Sequence, residues 1–193
     1  MPNRCGVLLV VIAALLVQTA LADDIIGNFS AAPGTGTAFG QGSTTQYKAF
    51  GFTMPNASYY LDAVTLTITW SAVGLGEVSI WDGATLPGNQ LIVLNSPNQS
   101  GSGDYAFTPP AQFTLQANQN YWVYVKALAG SPSWQWRGTS PSTMPSGLAS
   151  PIGYIFNGSP SSYYNRLLVT GTPVPEPAAA VAALLAFALL RRR

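Results

Sequence analysis

The longest alternation of apolar and polar residues lies at 59–70, which reads YYLDAVTLTITW. Val64, Leu66, Ile68 and Trp70 share one face of this run, and threonines occupy the positions between them. A period of two with β-branched residues on both faces predicts a half-buried strand.

Shorter runs of the same kind predict further strands at 76–83, 91–94, 111–115, 121–127, 133–139 and 163–171. LPGNQ separates the first two of these as a Pro-Gly turn, so we expect an antiparallel pair there. The run at 121–127 is apolar on both faces, as a central sandwich strand would be, whereas 140–151 is a proline-broken loop. With no sustained helical period between 23 and 172, about eight to ten short strands predict an all-β, jelly-roll-like β-sandwich.

Residues 1–22 have the pattern of a secretory signal peptide. Arg4 supplies the basic start, an apolar run follows, and Ala20 and Ala22 are the small residues of a cleavage site. The alternative is an anchor that is never removed, but the apolar run is short for a membrane span. We therefore expect cleavage after Ala22, so that the exported chain begins at Asp23.

Composition excludes several kinds of catalysis and binding. The chain has no histidine, and its one cysteine, Cys5, falls in the signal segment, which removes Ser-His-Asp and Cys-His catalysis and most zinc sites. Residues 23–172 carry four scattered cations against six carboxylates, without the basic face of a nucleic-acid binder. We expect one exported domain that uses no cofactor and binds no nucleic acid.

The remaining route to an enzyme is a pair of carboxylates. The candidates inside the domain are Asp62, Glu77, Asp82 and Asp104. Asp82 and Asp104 each adjoin a glycine in a turn-like context, where short acidic side chains usually accept hydrogen bonds from backbone amides. The sequence also lacks a dense Asp/Asn loop for calcium. We predict neither an enzyme nor a metal site.

Five tryptophans could serve as stacking platforms for sugars. Trp134 and Trp136 share a face of one predicted strand and are the candidate glycan contacts. Aromatic side chains in a sandwich of this size mainly fill the interior, so a core role is favoured for most of the five.

The chain ends in VPEPAAAVAALLAFALLRRR, residues 174–193. As a helix, the apolar stretch 178–190 would be about 20 Å long against a hydrocarbon core of ~30 Å, and Arg191 to Arg193 can snorkel to the cytoplasmic interface. Pro175 and Pro177 keep the preceding segment extended. We predict a short transmembrane helix; a core or amphipathic helix is less consistent with the absence of a polar face.

The order of proline-glutamate-proline motif, apolar stretch and terminal arginines resembles the PEP-CTERM sorting signal of Gram-negative bacteria. The resemblance implies that Pro175, Glu176 and Pro177 are recognised by an exosortase, a membrane transpeptidase-like cysteine enzyme that cleaves such tails. It also implies that Arg191, Arg192 and Arg193 stop the segment on the cytoplasmic side. The apolar stretch here is short and rich in alanine.

Residues 24–171 resemble the choice-of-anchor β-sandwich modules, and most closely their type R group. The similar stretches are TTQYKAFGFTMPNASYYLDAVTLTI, VSIWDGATLPGNQLIVL, FTLQANQNYWVYV and WQWRGT. This resemblance implies a fold and an anchoring context, and no biochemical activity.

The sequence thus predicts a signal peptide at 1–22, a β-sandwich at 23–172 and a sorting and anchor segment at 173–193. The expected protein is exported, held in the inner membrane until an exosortase processes it, and then found at the cell surface or outside the cell. A structural role in exopolysaccharide or biofilm is the favoured function, and a carbohydrate-binding module is the alternative.

Overall fold

The computed structural model describes residues 21–39, 46–70, 76–98, 101–127 and 134–175, and every regular element in this part of the chain is a β-strand. The strands are β1 (Asp23–Gly27), β2 (Ala32–Phe39), β3 (Gln46–Thr53), β4 (Tyr59–Trp70), β5 (Gly76–Trp81), β6 (Gln90–Val93), β7 (Ser102–Phe107), β8 (Thr114–Leu115), β9 (Asn120–Ala127), β10 (Trp134–Ser140), β11 (Ser146–Gly147), β12 (Ser150–Phe156), β13 (Ser159–Pro160) and β14 (Leu167–Pro173).

The strands form two antiparallel sheets. The first has the order β11-β1-β14-β4-β10-β2, and β7 and β8 pair with the other edge of β4. The second has the order β13-β12-β3-β9-β5-β6. Both sheets contribute side chains to one large apolar core. The prediction of an all-β domain with two packed sheets is therefore confirmed.

The core follows the alternation seen in the sequence. Val64, Leu66 and Ile68 on β4 are completely buried and lie in the same cluster as Phe50 of β3 and Val123 of β9. Inward-facing apolar residues on two facing sheets remove each other from water, which is the main favourable term in folding such a domain.

Most predicted strands are confirmed, with shifts of boundary. The run at 59–70 is β4 without change, 121–127 falls within β9 between two partner strands, and 76–83 with 91–94 gives the expected antiparallel pair β5–β6. Only the last two residues of 111–115 are in a strand, β8.

Two predictions about the last third of the domain are wrong in part. The expected loop at 140–151 contains β11 and the first residues of β12, where Pro151 is accommodated at a register shift against β3. The strand predicted from 163 begins only at Leu167, and the preceding Asn165 and Arg166 make polar side-chain contacts.

A buried asparagine pair joins three segments. Asn28 Nδ2 donates to the carbonyls of Thr143 at 2.9 Å and Asn165 at 3.1 Å, and its Oδ1 accepts the Leu167 N–H at 2.9 Å. The Asn165 side chain donates to the Trp136 carbonyl and accepts from the Tyr154 hydroxyl. These bonds satisfy backbone groups that are buried where the β-ladder is interrupted.

Arg166 makes the second polar junction. Its Nη1 lies 3.0 Å from Asp104 Oδ1 and donates to Thr67 Oγ1 at 2.8 Å, while Nη2 donates to the Phe29 carbonyl at 3.1 Å. The guanidinium also lies over the Phe29 ring, 4.0 Å from its centroid. The arginine therefore ties the turn after β1 to strands β4 and β7.

Within the described residues no helix is long and apolar enough to cross a membrane. The helix predicted at about 178–190 and most of the signal segment at 1–22 lie outside the described residues.

Replacing Asn28 with alanine should strongly destabilise the domain. The change leaves the buried Leu167 N–H and two carbonyls without their side-chain partner, at ~1–3 kcal/mol for each unsatisfied group, so we expect a loss on the order of 3 kcal/mol in unfolding free energy. Urea unfolding of Asn28→Ala measures this. Asn56→Ala, at an exposed position, is the control, and equal stability of both variants would contradict the junction role.

Candidate functional site

The structure describes only one residue of each predicted processing site, Ala22 and Pro175. Ala22 and Pro175 are both exposed, and the neighbouring Leu21 is 81% exposed. The other residues of these predictions lie outside the described part of the chain: Ala20, Glu176, Pro177, Arg191, Arg192 and Arg193. Their roles stay predictions.

The two ends of the domain leave the sandwich side by side. Asp23 at the start of β1 pairs with Gly171, while Pro173 at the end of β14 pairs with Tyr59. The last backbone hydrogen bond in the described part of the chain is from the Val174 N–H to the Ser58 carbonyl, at 3.0 Å. Both predicted processing sites therefore adjoin one end of the domain.

Three partly exposed aromatic rings form a stack, here called the aromatic ladder, on the outer face of the second sheet. Tyr47 of β3, Tyr124 of β9 and Trp81 of β5 lie on adjacent strands. The Tyr47 and Tyr124 centroids are 4.6 Å apart with planes at 16°, and those of Trp81 and Tyr124 are 4.4 Å apart at 22°. These are stacked geometries that stabilise a sheet surface.

The stacking decides which ring surfaces are left for a ligand. Tyr124 is the middle ring, so Tyr47 covers one of its faces and Trp81 the other. Only the outer faces of the two end rings and the edges of all three remain. The ladder is therefore unlike a row of coplanar rings, which would offer each face to a sugar.

Hydrogen bonds fix the Trp81 end of the ladder. Trp81 Nε1 donates to Ser79 Oγ at 2.9 Å, and Ser79 Oγ in turn donates to Glu77 Oε1 at 3.3 Å. Gln90 Nε2 from the neighbouring β6 donates to the same carboxylate oxygen at 2.8 Å. An ordered ring thus adjoins a carboxylate and an amide, which are the groups that usually bind sugar hydroxyls.

A small buried cluster on the same face of the sheet packs against the rings of the ladder. It contains Ala49, Trp122 and Ile155, all at most 3% exposed. The Trp122 ring lies against Gly51, where an added Cβ would come within 2.8 Å of it, and its Nε1 donates to the Gly83 carbonyl at 3.0 Å. The outer face of this sheet therefore carries a small apolar cluster of its own, separate from the main core.

Burial and neighbouring groups raise the pKa of Tyr124 to about 12. Desolvation is the largest cause, followed by the nearby Tyr47 and Glu77. The middle ring of the ladder therefore remains a neutral hydrogen-bonding group throughout the ordinary pH range.

The tryptophans divide between core and surface. Trp136, one of the two candidate glycan contacts, is completely buried and donates through Nε1 to the Arg166 carbonyl at 2.9 Å, so it cannot stack on a ligand. Trp122 is also buried, whereas Trp81 is partly exposed. The side chains of Trp134 and Trp70 lie outside what the structure describes.

Each candidate carboxylate is engaged in framework hydrogen bonds. Asp62 accepts from Thr172, Asp82 from the Asn89 N–H, and Asp104 from Thr67 and Arg166. In the described ranges, no three acidic, histidine or cysteine side chains are grouped so that they could hold a metal ion.

Lys48 is the second notable feature, because it is a cation that is only 2% exposed. It lies on the inner face of β3 opposite Phe156, and its Nζ is 5.6 Å from the centroid of that ring. Together with Tyr154, Phe156, Ser161 and Tyr163 it lines a cavity of about 50 Å³. Desolvation lowers the pKa of the Lys48 amine to about 8.

No family model, curated protein or solved structure matches the chain. The resemblance to PEP-CTERM and choice-of-anchor proteins therefore rests on the sequence motifs.

The stability of the domain should rise between pH 8 and about 10 because of Lys48. In this range the unfolded chain, with an ordinary lysine pKa of 10.5, binds a proton that the folded chain has released, so deprotonation favours folding. Lys48→Met should remove this rise and stabilise the domain at pH 7 by on the order of 2–3 kcal/mol.

Above pH 10 the raised pKa of Tyr124 has the opposite effect, and stability should fall. Urea unfolding at a series of pH values measures both slopes, with Lys126→Met as the control that retains the rise. An unchanged slope in Lys48→Met would show that the amine is not the titrating group.

Proposed function

We propose that the chain is an exported surface or extracellular-matrix protein with a jelly-roll-like sandwich and a structural, non-enzymatic role in exopolysaccharide or biofilm. A signal peptide is removed after Ala22. The domain is then held at the inner membrane by a transmembrane helix at about 178–190, until an exosortase processes the tail at Pro175, Glu176 and Pro177.

The observation that carries this proposal is the position of the two domain ends. Asp23 and Val174 emerge at the same end of the sandwich, an arrangement compatible with export by one terminus and retention by the other. Three residues separate Val174 from the apolar stretch, so Val174 lies at most ~14 Å from its first residue. The base of the domain would therefore rest at the membrane surface.

Replacing Glu176 with alanine should block processing without changing the domain. Glu176 lies two residues beyond Val174, whose N–H is bonded to the domain, so we expect export and folding to stay intact while the full-length form accumulates in the membrane. Replacing Arg191 to Arg193 with glutamine should instead weaken retention, because the cytoplasmic stop is lost.

Size and fractionation analysis in a host with its exosortase gives the readout. Gln116→Ala, an exposed position at the same end of the domain, is the control and should be processed like the wild type. Equal processing of Glu176→Ala and the wild type would remove the recognition role of the motif, and a full-length tail on the surface protein would make the segment a permanent anchor.

The aromatic ladder favours a second function, the binding of carbohydrate. An ordered Trp81 ring beside Glu77 and Gln90 offers a stacking surface together with hydrogen-bonding groups. A sugar chain would contact the ladder at its Trp81 end, because the inner faces of the stack are already covered.

Trp81→Ala should lower affinity for the exopolysaccharide of the producing cell about tenfold, as the loss of one aromatic contact of ~1–1.5 kcal/mol implies. Affinity electrophoresis measures the change. Tyr60→Ala, a partly exposed aromatic position on the outer face of the first sheet, is the control. The same affinity for both variants, or none for the wild type, would leave the structural role as the function.

A further inference from the structure

We propose that the loop at 82–89, between β5 and β6, docks on a lipid bilayer and inserts the side chain of Leu86 among the lipids. The inference rests on the proposed membrane anchor at about 178–190 and adds a second contact, which the domain itself makes. A tether together with a docked loop would fix the orientation of the domain on the membrane.

The loop presents an exposed apolar side chain without any charge beside it. Leu86 is 51% exposed, and the neighbouring Ala84 and Thr85 are exposed as well. The stretch at 83–88, GATLPG, contains no charged residue. It can therefore leave water without the cost of desolvating a charge.

The loop lies at the same end of the sandwich as the point where the tail leaves. The Val174 N–H donates to the Ser58 carbonyl, and Ser58 Oγ accepts the Ala117 N–H at 3.0 Å. From the same segment, Asn120 Nδ2 donates to the Ala84 carbonyl of the loop at 3.3 Å. Since Val174 is at most ~14 Å from the apolar stretch, a tail inserted in a bilayer brings this loop to the bilayer surface.

The polar groups of the loop are already hydrogen-bonded within the domain. The carboxylate of Asp82 accepts the Asn89 N–H at 2.6 Å and Asn89 Nδ2 at 3.2 Å. Trp122 Nε1 donates to the Gly83 carbonyl at 3.0 Å. Polar groups that are satisfied internally lose little when the surrounding water is replaced by lipid.

The backbone of the loop holds Leu86 in place. Gly83 has a φ of 129°, and a Cβ at this position would clash with the Leu86 carbonyl oxygen, so the close approach requires glycine. The Gly88 N–H closes the loop by donating to the Asp82 carbonyl at 2.7 Å. A leucine on such a preformed loop needs little ordering when it enters the bilayer.

The distribution of charge favours an uncharged lipid surface. Asp23 and Asp24 lie at the base, at the start of β1. The basic residues of the domain lie further along the strands, away from the base: Lys48, Lys126, Arg137 and Arg166. Docking on anionic lipid relies on basic residues at the surface. We therefore expect the loop to dock on zwitterionic lipid, with no dependence on salt.

The contribution of one leucine determines when the contact forms. Moving a half-exposed leucine out of water favours the docked state by about five- to tenfold. This is too little to hold a free domain on a membrane, because association from solution carries a large loss of translational freedom. A tail already in the bilayer removes most of that loss, so roughly nine tethered domains in ten would be docked.

A fluorescent label on the chain from Asp23 to Arg193 tests the docking. This chain has no cysteine, so Thr85→Cys and Val93→Cys each introduce one labelling position. Val93 is 44% exposed and lies on β6, four residues beyond the loop or ~13 Å along the strand. In protein-free phosphatidylcholine vesicles, spin-labelled lipid should quench the label at position 85 strongly and the label at position 93 weakly.

Two matched substitutions identify the side chain that inserts. With the label at position 85, Leu86→Ser should lower the docked fraction from roughly nine in ten to about half and reduce the quenching accordingly. Val93→Ser, at the other exposed apolar position, should leave the quenching unchanged. Adding phosphatidylglycerol or salt should not alter it either. Circular dichroism verifies that the variants are folded, and flotation of the vesicles verifies that the tail is inserted.

The outcomes distinguish the docking from the anchor. Equal quenching at both positions, or quenching that Leu86→Ser does not change, in vesicles that carry the inserted chain would overturn the docking and leave the anchor intact. Protection of the label at position 85 in cell-envelope membranes but not in protein-free vesicles would show that a protein covers the loop instead of lipid. A chain that does not float with the vesicles would remove the anchor, and the docking with it.

Discussion

The length of β4 is the constraint on which the first sheet depends. At twelve residues it exceeds each of its partners, so each of its edges takes two strands in succession: β14 and then β10 on one side, β8 and then β7 on the other. Leu66 lies between Leu167 and Tyr105 in this arrangement. A shift of one residue would turn the buried face of β4 toward water, so the core fixes the register of all four partners.

Where β4 changes from one partner strand to the next, the two partner strands leave a gap in the ladder between them. Polar side chains lie at this gap. Asn165 and Arg166 lie between the end of β10 and the start of β14, where the regular ladder is broken. Buried backbone groups at such a break have no strand opposite them. The asparagine pair and the arginine supply the missing partners, which explains why Asn28 and Asn165 are buried in the sandwich.

Local patterns in the sequence were sufficient to predict the strands β4, β5, β6 and β9, because alternation or a turn identifies a strand without knowledge of its partner. They were insufficient for β2, whose sequence APGTGTAF is rich in glycine and which is a strand because β10 pairs with it. The same limit applied to the surface. Alternation put Trp136 on one face with Trp134, and both remained candidate glycan contacts until the structure showed Trp136 to be buried. The ladder of Tyr47, Trp81 and Tyr124 joins three strands that are distant in sequence, and only the sheet order brings them together.

The place of β14 between β1 and β4 also determines how the domain would respond to a pulling force. Tension on its C-terminal end acts along the strand axis, so the hydrogen bonds to both neighbours are loaded in shear and must break together. An edge strand pulled sideways would unzip one bond at a time. A tether attached to the C-terminal end of β14 would therefore pull on an interior strand, and the attachment would be mechanically strong.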